Sequence, residues 1–149
     1  MTDELQLDFD PTAQIVAHAD EVLAGASGPW PLPAGYAPLL AALLRHRGAA
    51  SPIAIAELTT FLPLNEREIK AAVKSLVEDF NVPIGASRGK PCGYFLILTA
   101  EDVALALRPL VKELRSISRR ARVLGGRRRL NELLGQIQIE MKDDPKEAA

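Results

Sequence analysis

The 149-residue sequence predicts a mainly helical α+β fold with one small β-hairpin, and three observations carry that expectation. Apolar residues recur at three- and four-residue spacing over four separate stretches before residue 81. Two short apolar runs, residues 82–86 and 94–98, then break the helical period around a glycine- and proline-containing loop. From Val103 a heptad spacing takes over.

Taken in order, residues 1–10 are acidic and poor in core-forming side chains, which predicts a frayed tail. Pro11 to Ala24 predicts a helix, with Ile15, Val16, Ala19, Val22 and Leu23 on one side. Gly25 to Gly35 packs three prolines and three glycines into a linker or extended arm, and its Trp30 is expected to pack on the core or on a partner. Tyr36 to Arg47 aligns Leu39, Leu40, Leu43 and Leu44 and stops at Gly48. Ser51-Pro52 predicts an N-cap followed by proline at the first helical position, opening a short helix to about Thr60 with Ile55, Leu58 and Phe61 inward. After the break at Leu62-Pro63-Leu64, Asn65 and Glu68 form a capping-box-like pair at the start of a longer helix. Its buried stripe is Ile69, Ala72, Val73, Leu76 and Phe80. A short helix, a tight turn and a longer amphipathic helix make a helix-turn-helix.

Val82–Ala86 and Tyr94–Leu98 then predict two strands around the loop Ser87–Gly93, with Pro83 confining the first to an edge. Thr99 predicts a further N-cap, with Glu101 and Asp102 in the first turn, where the helix dipole favours acids. Val103, Leu107, Leu110, Leu114, Ile117, Ala121 and Leu124 form the heptad seam of that helix. Pro109 is expected to kink it, and Gly125-Gly126 to break it before a last segment carrying Leu130, Leu134, Ile137 and Met141. Helices followed by a hairpin predict a winged helix-turn-helix with a C-terminal helical extension. Its expected parts are an acidic arm and linker (1–35), the winged domain (36–98), C-terminal dimerisation helices (99–141) and a polar tail (142–149).

Lys+Arg number 18 and Asp+Glu 19, a formal net charge of −1, but the distribution is far from even. Residues 1–35 hold six acids and no base, residues 36–130 hold 16 bases against 8 acids, and residues 131–149 hold 2 bases against 5 acids. A basic middle between acidic ends points to an anionic partner. No apolar stretch approaches the roughly 20 residues of a membrane span, and no charged-then-apolar leader is visible, so a cytoplasmic protein with no membrane partner is expected. One cysteine and two separated histidines leave no dedicated zinc site, and no nucleophile–base constellation is present, so neither a metal, a cofactor nor an enzymatic activity is expected. Gly85 and Gly89-Lys90 echo a phosphate-binding loop, but the spacing is one residue short and Pro91 stands where Ser or Thr is required.

Ile69-Lys70-Ala71-Ala72-Val73-Lys74-Ser75-Leu76, then Val82-Pro83-Ile84, then Gly93-Tyr94-Phe95-Leu96 resemble the winged-helix domains of bacterial regulators, most clearly the biotin-repressor-type wing. Small phage and bacterial helix-turn-helix proteins look similar too, their wing running into a helix start like Thr99-Ala100-Glu101-Asp102. The resemblance covers about residues 36–100 and implies the fold more than the task. The chain has neither the length nor the motifs of a ligase or biotin-binding domain, so no such activity is carried over.

In helix-turn-helix readers the exposed N-terminal residues of the second helix reach base edges in the major groove. Here those are Asn65, Glu66, Arg67, Lys70, Ala71 and Lys74. Arg67 and Lys70 have the donors for guanine, and Lys74 sits where phosphate is contacted. Asn65 has a competing use as the N-cap, and Glu66 with Lys70 a competing use as an ordinary i,i+4 pair. Arg88 and Lys90 at the loop tip suit phosphate or minor-groove contact. Arg108 to Arg129 holds nine bases against Glu113 alone; Arg115, Arg119, Arg120, Arg122, Arg127, Arg128 and Arg129 are expected on DNA phosphate or on an acidic partner, the N-terminal arm included. The seam has two readings, a homodimeric coiled coil or the buried face against the winged domain. The function expected is sequence-specific binding of double-stranded DNA in transcriptional regulation. A protein-interaction adaptor and a phage-type replication or packaging initiator stand as alternatives.

Overall fold

The computed structural model of the chain describes residues 11–142. Its elements are α1 (Pro11–Leu23), α2 (Tyr36–Arg45), α3 (Ile55–Phe61), α4 (Glu66–Glu78), β1 (Ile84–Ser87), β2 (Gly93–Leu96) and α5 (Ala100–Lys142). The fold is mainly helical with one antiparallel two-stranded hairpin. The chain divides into two units between Ala106 and Leu107. The expected frayed tail of residues 1–10 and most of the polar tail, from residue 143, lie outside the described residues.

In the first unit the helical stripes meet in one core. Leu39, Leu40, Leu43 and Leu44 from α2, Leu58 from α3 and Ile69, Ala72, Val73 and Leu76 from α4 are buried there. α1, set apart from the winged domain in the sequence, contributes Ala19 and Val22 to this same core. The linker is held down by Trp30, whose ring meets Phe80 edge-on at a centroid distance of 5.7 Å while half of it stays in solvent.

α4 begins as expected: Asn65 Oδ1 accepts from the Glu68 N–H at 2.9 Å, which satisfies one of the free donors of the first turn. The chain leaves it through Asn81 at φ 56°, a left-handed conformation asparagine tolerates, and the Val82 N–H returns to the Leu76 carbonyl at 2.9 Å.

α3 departs from expectation. Ser51 is not its cap; the helix starts at Ile55 behind Ala54, which offers no side-chain cap. The reason is tertiary. Ile53 is extended and exchanges both backbone hydrogen bonds with Tyr94, at 2.8 and 2.9 Å, so the chain cannot coil there. Phe61, expected inward, is 53% exposed, and Leu62, in extended backbone just past the helix, fills the core position instead.

The hairpin is shifted and shorter than the apolar runs. Ile84 pairs with Leu96, Gly85 with Phe95, Ala86 with Tyr94 and Ser87 with Gly93. Val82 is buried outside the strand. β2 is bonded on its other edge as well: Gly48 N–H donates to the Leu96 carbonyl at 2.8 Å, and Leu96 N–H to the His46 carbonyl at 2.9 Å. The connection between α2 and α3 therefore acts as a partial third strand.

α5 opens on a capping box with a second role. Asp102 N–H donates to Thr99 Oγ1 at 3.1 Å, and the Asp102 carboxylate accepts from Thr99 N–H at 3.2 Å. The same carboxylate accepts from Leu98 N–H and from Ala49 N–H, each at 3.0 Å. Asp102 is 7% exposed, the one buried charged side chain among the described residues. Pro109, where a kink is expected, stays within helical φ/ψ. The one non-helical residue within α5 is Gly126, at φ 79° and ψ 166°, where the expected glycine break occurs.

Two outcomes follow for stability. Burial raises the Asp102 pKa, but its backbone and Thr99 hydrogen bonds outweigh that and hold it below the ordinary 3.8. A depressed folded pKa means that the stabilisation is present at neutral pH and is lost as pH falls through the folded value. Asp102→Asn is expected to cost about 1–3 kcal/mol at neutral pH in urea unfolding, with the gap to the parent shrinking as pH is lowered below the ordinary 3.8. An equal loss at neutral and at low pH would remove the carboxylate from this role. Gly93 stands at φ 141°, and a Cβ there would drive into the Ile53 carbonyl. Gly93→Ala is expected to lower stability by about 2–4 kcal/mol in the same measurement.

Candidate nucleic-acid interface

The connection between α3 and α4, residues 62–65, is short enough to set the two helices as a compact pair with α4 longer. Because α4 spends Ile69, Ala72, Val73 and Leu76 on the core, its period turns Asn65, Glu66, Arg67, Lys70, Ala71 and Lys74 to solvent, and all six are exposed. The expected reading face thus exists as a surface.

Its electrostatics are mixed. Lys70 Nζ lies 3.1 Å from Glu66 Oε1, so the i,i+4 pair forms, and that lysine is partly neutralised in the free chain. Asn65 commits its carbonyl oxygen to the cap. Arg67 and Lys74 have no carboxylate partner among the described residues. An exposed ion pair of this kind contributes about 0–1 kcal/mol, so an anion reaching Lys70 has little to displace.

Tyr94 of β2 lies within electrostatic reach of this face, although the sequence marks it only as a strand residue and as part of the wing resemblance. Burial pushes its phenol pKa up, the Lys70 ammonium works against that and Glu66 adds to it, so the ring of β2 lies in the field of the α4 pair. The hairpin register places Arg88 and Lys90 in the loop between Ser87 and Gly93, both exposed and without an ion-pair partner among the described residues. Cys92 in the same loop is exposed.

In the second unit the bases of α5 are ordered rather than scattered. Arg115, Arg119 and Arg122, with Lys112 before them, recur every three or four residues and form a stripe along the helix. Arg120 stands off that stripe, across the seam. Of Arg127, Arg128 and Arg129, Arg128 pairs with Glu132 at 3.2 Å and the others have no such partner among the described residues. The seam residues Val103, Leu107, Leu110, Leu114, Ile117 and Leu124 are all exposed on the single chain, Leu110 and Leu114 at 58% and Leu124 at 88%, and Ala121 is half-buried. Among the described residues no group of histidine, cysteine and carboxylate side chains could hold a metal ion, and no helix is long and apolar enough to cross a membrane. No protein-family model, curated protein or solved structure matches this chain.

Proposed function

We propose that the chain is a winged helix-turn-helix protein that binds double-stranded DNA sequence-specifically, as a dimer held by α5, and regulates transcription. One observation carries this reading. Within a single unit, a helix following a short turn presents Arg67, Lys70 and Lys74 outward, and the hairpin loop adds Arg88 and Lys90.

α4 is the reading helix in this proposal. Arg67 and Lys70 have the reach and donors for guanine O6 and N7, Lys74 meets phosphate, and Arg88 and Lys90 hold the backbone or enter the minor groove. Ala71 leaves room for close approach of the groove floor. The Glu66–Lys70 pair opens as Lys70 turns to the DNA, leaving Glu66 to discriminate against guanine-rich edges and accept from cytosine N4. The second reading, a protein-interaction adaptor, draws on α5: a stripe of arginines with Glu113 as the sole acid between Arg108 and Arg129 suits an acidic partner as well as phosphate. Neither reading assigns a catalytic residue.

Fluorescence anisotropy against a duplex pool, followed by selection of the bound sequences, separates them. The DNA reader should bind with log affinity falling by about 0.9 per phosphate neutralised for each log unit of salt. Arg67→Ala is expected to cost about 1–3 kcal/mol at the selected site and relax its sequence preference. Arg88→Ala with Lys90→Ala should weaken all duplexes alike and lower the salt slope. Absence of salt-dependent binding to any duplex would sink the DNA reading.

A further inference from the structure

The exposed seam of α5 has a symmetry that its charges share. With Leu107, Leu114 and Ala121 as heptad a positions and Leu110, Ile117 and Leu124 as d positions, the flanking g positions hold Glu113 and Arg120, whereas the opposite flank is uncharged at Val111, Ser118 and Gly125. We infer that two copies of the chain associate through α5 in antiparallel register, about a two-fold axis between Arg115 and Ser116. This rests on the reading of the seam as a self-association surface and is independent of DNA binding.

In an antiparallel pair each a residue faces a d residue of the second copy. Leu107 then meets Leu124, Leu110 meets Ala121, and Leu114 meets Ile117, each pair occurring twice by symmetry. Six of the seven seam positions, Leu107 to Leu124, find a partner; Val103 belongs to the first unit, and the position opposite it, 128, lies past the break at Gly126. The seam ends where Gly126 departs from helical geometry, so the interdigitating stretch is about 26 Å long at 1.5 Å per residue.

Charge fixes the direction. In the antiparallel arrangement the g flank of one helix lies against the g flank of the other, which brings Glu113 to Arg120 of the second copy twice. In a parallel pair, Glu113 would face Ser118 and Arg120 would face Gly125, and neither charge would be matched. The basic stripe of Lys112, Arg115, Arg119 and Arg122 occupies b and f positions, outside either contact, so the strong positive charge of α5 does not oppose pairing at close range.

The test uses the full chain. Sedimentation equilibrium and light scattering should show a dimer without DNA. Glu113→Arg alone and Arg120→Glu alone should each weaken it about three- to tenfold, and the double exchange should restore it. Circular dichroism checks that helicity is kept. In a Cys92→Ser background, Leu110→Cys chains mixed with Ala121→Cys chains should form a mixed disulfide. Neither should pair efficiently with itself, because like positions then stand about 17 Å apart along the axis. A monomer at about 100 μM, far above the μM range of specific association, would overturn the self-association reading. A dimer giving like-with-like disulfides, or one that the double charge exchange fails to rescue, would keep that reading and overturn the antiparallel register.

Discussion

The Asp102 carboxylate is the interaction on which the first unit's arrangement depends. It sits in the first turn of α5, yet it gathers backbone N–H groups from the end of the hairpin, Leu98 and Thr99, and from the connection after α2, Ala49. A buried carboxylate without donors would be expelled or protonated; supplied with these, it stays charged and ties the hairpin-to-α5 junction to the connection after α2, 53 residues away in sequence. The same segments carry the Gly48–Leu96 and His46–Leu96 hydrogen bonds, so the carboxylate and the strand edge support one another. Any reading head built on α4 inherits its position from this frame, because β2 is bonded on both edges.

Backbone commitments outrank local signals wherever the two conflict in this chain. Ser51-Pro52 has good helix-start chemistry, but Ile53 is bonded to Tyr94, and the helix waits until Ile55. The apolar run at residues 94–98 suits a five-residue strand, and the Ile97 N–H does reach the Pro83 carbonyl at 2.9 Å in ladder register, but Pro83 has no N–H to return and the paired strand ends at Leu96. Pro109 lacks an N–H and still lies within regular helix, whereas Gly126, free to adopt a positive φ, takes the break.

The proposed interface divides similarly. Its α4 half was legible, because a helix with a complete apolar stripe has its opposite face determined by the 3.6-residue period. Arg67, Lys70 and Lys74 follow from that alone. Tyr94 was not legible as part of it, since only the tertiary fold brings the phenol within electrostatic reach of Glu66 and Lys70. The α5 charges present the reverse case: their number is obvious in the sequence, and what matters for association is their position on the helix.

By itself the sequence determined the order and type of the elements, the buried stripe of α4 with its Asn65 cap, and the break at Gly125-Gly126. Each depends on side-chain period or on the backbone preference of a single residue. Only the tertiary structure decided where α3 begins, which residues pair in the hairpin, that α1 shares the core, and that Asp102 is a buried junction instead of a surface acid near a helix dipole. Those features are set by contacts between segments that meet only in the folded chain, and no local pattern encodes which donor a carboxylate or strand edge will meet.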